Sequence, residues 1–386
     1  MELILFGLLL LIFTTVVFIY KNNCSNCELI KLLLPIIMIT VIFGLAYSDG
    51  DYRTYNEIYD AAVNFSMDYS PMERVAGYNS ADIGYEIVNY LFNLLGLAYP
   101  EFRLVIITLS LLIVANFSLK LTKNSHVVLL LYALYPAMHD IVQIRTFLVD
   151  ILVFISLYLY IKKGGFKGKI YFCIFILLAA SMHKMAILYL PFLLFDCIYR
   201  MKITKILMVF GLMMPLYSSW IYIYIVPMFA QHLNASGGQF LNYVLQDFGI
   251  KRYLAYVLVV TLFIIINLNK KITITDELQL RFVDAVNKMV LYMVCISPVF
   301  MITRELSRIP RNLLLPSYLV FAIFLTKLNK KYTKLVMCLY CIGAFAYGYV
   351  DYYMDDGGLY FEMMIKNNYL MDNVDALINM FCILIK

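Results

Sequence analysis

HDIVQIRTFLVDILVFISLYLYIKKGGFKGKIYFCIFILLAASMHKMAILYLP, residues 139–191, decides how the rest of the chain is read. Arg145 opens one long apolar run, a basic hairpin carrying Lys162, Lys163, Lys167 and Lys169 follows, and a second apolar run ends at His183. A membrane crossing needs about 20 mostly apolar residues in helical form. Two such runs joined by a basic turn predict two antiparallel crossings. The first descends from Arg145 and the second rises to His183, so a guanidinium and an imidazole return to the same bilayer face.

The flanking sequence repeats the theme. Of 386 residues 63% are hydrophobic and 15% charged, and the mean hydropathy is +0.81. A soluble domain of that size has no interior large enough for so much apolar surface, which leaves an all-α polytopic integral membrane protein. Apolar segments near 2–20, 30–47, 102–119, 125–138, 147–161, 170–183, 185–199, 206–227, 253–269, 288–303, 312–328 and 335–350 predict about 12 transmembrane helices. Bare backbone in hydrocarbon is costly, so each should be helical. The whole of 1–386 reads as one polytopic domain. The first run has no basic residue before it and no small-residue cleavage site after it, so it reads as a retained span.

Lysine and arginine set the orientation. Connections near 21–31, 120–124, 162–169, 200–205, 270–288 and 327–334 are short and hold 19 of the 31 basic residues. They are expected inside, with both termini outside. The alternation holds only if 83–99 does not cross, so IGYEIVNYLFNLLGLAYP is expected to be a re-entrant or interfacial outer helix, with Glu86, Asn89 and Asn93 along one face.

Two outer loops, 48–101 and 228–252, are expected to face substrate. The first carries nine acidic residues, among them Asp51, Asp82 and Glu86, together with Tyr52, Tyr55 and Tyr85. Carboxylates bond sugar hydroxyls while rings pack on the C–H face, although a solvated loop with tyrosines at the aromatic belt has the same composition. The remaining ionisable groups fall at the same rim: Arg145, with His139 and Asp140 just before it; His183; and Arg304, Arg308 and Arg311 in TRELSRIPRN. Arginine near lipid usually has a partner or a task, and its planar fork grips phosphate at two points. A rim arginine can equally be a headgroup contact, and a histidine at a turn a satisfied polar group. Asp150, inside the apolar run below Arg145, reads as a neutral buried acid or an ion-pair partner. Cys24 and Cys27 form a CxxC with no second pair, so no metal site is expected. No nucleotide loop or soluble-hydrolase motif occurs, and neither a cofactor nor a nucleic-acid partner is expected.

SDGDYRTYNEIYD, DIGYEIVNYLFN, QIRTFLVDILVFISLYLYIKK and ASMHKMAILYLP, in that order over residues 45–195, resemble the EpsG-like branch of the Wzy-class bacterial polysaccharide polymerases. RELSRIPRN adds weaker support, and Thr146 stands where that family often has glutamine after the arginine. The resemblance implies a membrane glycosyltransferase of the bacterial cytoplasmic membrane making O-antigen, capsule or exopolysaccharide. It would join undecaprenyl-diphosphate-linked oligosaccharide repeat units at the outer face and release undecaprenyl diphosphate, working beside a flippase and a chain-length regulator. Arg145 with Arg304, Arg308 or Arg311 would neutralise the diphosphate. His183, Asp51 or Glu86 would take the acceptor proton, and His139, Asp140, Tyr52, Tyr55 and Tyr85 would line the substrate. Two other readings stay open on the residues alone: a transporter or flippase for lipid-linked oligosaccharide, and a different membrane glycosyl- or acyltransferase.

Overall fold

At Gly164 and Gly165 the chain turns between two long antiparallel helices, and both glycines take positive φ (61° and 53°) that a side chain would strain. A computed structural model of the full chain describes residues 25–47, 50–65, 82–220, 251–268, 274–300, 308–328, 330–356 and 368–369. The expected span at 2–20, Arg304 and nearly all of the loop 228–252 lie outside them.

In chain order the helices are α1 (Ser25–Ile39, continued by a π turn, Thr40–Gly44), α2 (Gly50–Ala61), α3 (Ile83–Leu94), α4 (Tyr99–Leu119), α5 (Ser125–Leu134), α6 (Ala137–Val142), α7 (Ile144–Lys163) and α8 (Gly165–Met182). A 3-10 turn (Lys184–Tyr189) leads to α9 (Phe192–Ile198), α10 (Lys202–Leu212), α11 (Met214–Trp220), α12 (Lys251–Leu268), α13 (Glu277–Cys295), α14 (Ser297–Phe300), α15 (Arg308–Arg311), α16 (Leu314–Lys327) and α17 (Lys330–Asp356). Among the described residues the only extended pairing is an isolated bridge between Ala46 and Asn368. The fold is all-helical, as the hydropathy requires.

Four helical stretches are long and apolar enough to cross a membrane: Tyr99–Leu119, Ile144–Lys163, Gly165–Met182 and Arg308–Lys327. Shorter apolar helices run over Leu32–Gly44, Ser125–Leu134, Ala255–Asn267 and Leu335–Gly348. The described residues thus support a membrane protein with four helices of crossing length, and the count of twelve is not reached. Two expected spans break internally. Residues 125–138 stop at Leu134, where Tyr135 is extended and Pro136 follows through a cis bond. Residues 185–199 divide into the 3-10 turn and α9 around Pro191.

A third expectation is displaced. The span placed at 288–303 is a helix from Glu277 to Cys295, so residues assigned to a connection form its first turns. Asp276 caps it by accepting the Gln279 N–H (2.8 Å). Its charges are neutralised within the helix, Arg281 by Glu277 and Lys288 by Asp284. Hydropathy registers those charges but not their pairing.

The chain forms two units. The first holds residues 1–151, 181–183 and 329–386; the second holds 152–180 and 184–328. In the second, α16 is almost entirely buried. Lys288 of α13 bonds Asp196 of α9 (2.9 Å) and lies over the Tyr199 ring. In the first, α4 begins with Pro100 in its opening turn and Glu101 reaching back to the Ala98 N–H (2.9 Å). The Tyr59 hydroxyl of α2 donates to the Leu97 carbonyl (2.8 Å), and the Asn93 amide donates to the Tyr59 carbonyl (3.2 Å). Burial, with Asp60 and Glu101 nearby, pushes the Tyr59 hydroxyl up to about 12, so it stays a neutral donor.

Helix α3 is short, with a polar buried side and an apolar exposed one. Its 12 residues are too few to cross, about 18 Å at 1.5 Å per residue. Glu86 and Asn89 turn inward at 2% and 0% exposure, while Ile83 and Leu91 stand 46% and 52% exposed. Polar groups inward and apolar groups outward suit a helix whose outer side meets lipid rather than water.

Candidate functional site

The site begins where α3 begins. Asp82 occupies the N-cap position, and its backbone carbonyl accepts from the N–H groups of Tyr85 (3.0 Å) and Glu86 (3.2 Å). An aspartate there normally caps the helix with its carboxylate, a bond worth about 1 kcal/mol. Asp82 makes no such bond. Its carboxylate turns to the Arg145 guanidinium and forms a buried ion pair with it.

Arg145 is the second residue of α7. Its Nε donates to the Tyr55 hydroxyl (3.1 Å), and its Cζ lies 5.4 Å from the centre of the Tyr55 ring. The Tyr55 ring meets Tyr85 edge to face at 5.9 Å. Helices α2, α3 and α7 therefore each contribute to one buried charge pair. Removing one partner of such a pair strands the other charge and typically costs about 3–5 kcal/mol. The same inward face of α3 carries two further polar groups, the Tyr85 hydroxyl and the Asn89 side-chain amide, both fully buried.

Gly84 brings in the end of α8. A Cβ at Gly84 would sit 2.2 Å from the Ser181 Oγ and 2.8 Å from the Ser181 Cβ. The two backbones touch there because residue 84 has no side chain. His183 follows two residues later, 8% exposed, in the break between α8 and the 3-10 turn. The α7–α8 hairpin thus starts at Arg145 and returns Ser181–His183 to the same unit.

The other candidates divide. Glu86 lies one turn beyond Asp82 on the buried face, and Asp51 lies in the first turn of α2, one turn before Tyr55. Tyr52 points elsewhere: its ring takes Arg103 at 5.0 Å, and its hydroxyl meets that of Tyr369 (3.4 Å). His139 and Asp140 are in α6, where buried Asp140 accepts from the Tyr132 hydroxyl (3.1 Å). Tyr52, Tyr55 and Tyr85 are all buried. Arg308 and Arg311 form the ends of α15 in the second unit, Arg311 buried.

Two residues of this unit carry no signal in the sequence that points to their partners. Asp82 is one of nine acids in its loop. Arg103 stands inside an apolar run and is 1% exposed.

The EpsG family model matches residues 29–365, which includes every group of this site. No curated protein and no solved structure matches the chain.

Proposed function

Since this chain belongs to the EpsG family, and is at that level a polysaccharide polymerase-like membrane protein, we propose that it joins oligosaccharide repeat units carried on undecaprenyl diphosphate. The transfer takes place at the outer face of the bacterial cytoplasmic membrane and releases undecaprenyl diphosphate. The observation that carries this reading is Arg145: a buried guanidinium at the head of a spanning helix, oriented by a carboxylate and a tyrosine hydroxyl.

Two chemical demands lead to that residue. The donor is already activated, so the protein need only place two lipid-linked chains together and stabilise the charge that grows on the departing diphosphate. A guanidinium stays charged at any working pH and binds two phosphate oxygens at once. The low-dielectric surroundings strengthen that hold. The same geometry leaves several groups able to take the acceptor proton, among them His183 and the carboxylates of α2 and α3.

The test separates charge from fork. Arg145→Lys keeps the cation beside Asp82 and loses two-point binding; the expected result is single-unit product with long chains reduced at least about 100-fold, the usual loss when one transition-state donor is removed. The readout is the chain-length ladder of lipid-linked glycan from cells expressing each form at equal level. A wild-type ladder from Arg145→Lys would remove Arg145 from the mechanism.

A further inference from the structure

We propose that Asp82 is the base that takes the acceptor proton, freed for that task when the donor diphosphate replaces it on Arg145. This rests on the polymerase reading above and goes a step past it.

Among the described acidic groups of the first unit, the geometry singles out Asp82. Glu86 sits a full turn deeper along α3, and Asp51 is on α2, a turn before the tyrosine that holds Arg145. Asp82 is the carboxylate bonded to the guanidinium itself. Its carboxylate makes no cap bond to its own helix and is committed to the guanidinium instead. A dianionic diphosphate outcompetes a single carboxylate for a two-point cation. Tyr55 binds Arg145 at Nε, a different nitrogen from the one Asp82 uses, so the guanidinium keeps its aim through the exchange. A carboxylate released from its hydrogen-bonded partner has a free oxygen to offer the acceptor hydroxyl. Base and electrophile are thus switched on by one event, the arrival of the donor.

The step balances without a co-reactant. The acceptor hydroxyl gives its proton to an Asp82 carboxylate oxygen, and its oxygen forms the new bond to the anomeric carbon. The bond from that carbon to the diphosphate oxygen breaks, and its electron pair leaves with the lipid diphosphate against Arg145. Asp82 then returns the proton to the departing diphosphate or to water and pairs with Arg145 again.

The experiment uses the full chain in lipid nanodiscs with purified undecaprenyl-diphosphate-linked repeat units as probe, and compares Asp82→Asn, Asp82→Glu and His183→Gln with wild type. Asparagine still accepts a hydrogen bond from Arg145 but takes no proton. The expected result for Asp82→Asn is KM unchanged or lower and kcat down about 10²- to 10⁴-fold, the span of general-base effects. His183→Gln should lose far less. The acid limb of the wild-type pH profile should vanish from the residual activity of Asp82→Asn. Turnover of Asp82→Asn within about tenfold of wild type, or a larger kcat loss in His183→Gln, overturns the assignment and leaves the polymerase reading standing. Wild type that extends no chain from these units overturns the polymerase reading itself. Should Asp82→Asn not fold, Asp82→Glu retains the charge balance and is read instead. Its acid limb should shift from that of wild type, and an unmoved limb rejects Asp82 as the base.

Discussion

Tyr55 fixes the direction of Arg145 without neutralising it. The ring supplies a face to the guanidinium and the hydroxyl accepts from Nε at 3.1 Å. Tyr55→Phe keeps the ring and deletes only the acceptor. A hydrogen bond to a charged group is worth about 1.5–3 kcal/mol, and about 1.4 kcal/mol is a factor of ten in rate. The expected outcome is a kcat loss of about tenfold or more, with the melting temperature in detergent lowered by only a few degrees. Chain-extension kinetics beside a thermal scan would check it, and an unchanged kcat would show that the Tyr55 hydroxyl does not aim the arginine. Arg145 was legible in the sequence because a lone cation at the head of an apolar run needs an explanation wherever it occurs. Its partners were not, since Asp82 and Tyr55 lie 63 and 90 residues away and each has an ordinary local role as a cap or a belt aromatic.

Among the helices, the α7–α8 hairpin and the start of α3 meet at one close approach. An alanine at position 84 would place its Cβ 2.8 Å from the Ser181 Cβ and 3.1 Å from its carbonyl carbon, so one backbone must retreat. Gly84→Ala should therefore displace Ser181–His183 from the start of α3 and cut chain extension sharply, while the protein still inserts. The double change Gly84→Ala with Ser181→Gly removes the obstructing side chain and should recover much of the loss. Activity equal to wild type in Gly84→Ala would mean that this contact does not set the site. The hairpin itself was readable, because two apolar runs around a basic Gly-Gly turn have one solution. The breaks at Pro136 and after His183 were not. A hydropathy window averages across a short interruption as long as both flanks stay apolar. The early start of α13 was hidden for the opposite reason, since i,i+4 pairs make a charged helical turn that hydropathy reads as loop.

At the scale of the whole molecule, the end of α1 is finished by residues from distant parts of the chain. A helix leaves its last carbonyls without partners. Here the Asn368 side-chain amide donates to the carbonyls of Ile42 (2.9 Å) and Val41 (3.4 Å), and the Tyr369 N–H donates to that of Leu45 (3.2 Å). Arg103 donates to the carbonyls of Ala46 (2.5 Å) and Phe43 (3.4 Å) while its guanidinium faces Tyr52 and Tyr99. The buried arginine therefore brings positive charge to the negative end of α1. Asn368 lies past the end of the family-matched stretch, so its role is read from physics alone. Asn368→Ala deletes the donors, whereas Asn368→Asp deletes them and sets a negative charge against carbonyl oxygens. If capping is the function of this residue, aspartate must be worse than alanine, although it is the closer match in shape. The expected loss for alanine is about 1 kcal/mol, the net worth of a typical part-buried hydrogen bond, and the loss for aspartate is larger. Thermal unfolding of the two variants in the same detergent decides it: equal melting temperatures, or an aspartate form as stable as wild type, would show that the tail residues merely rest on α1.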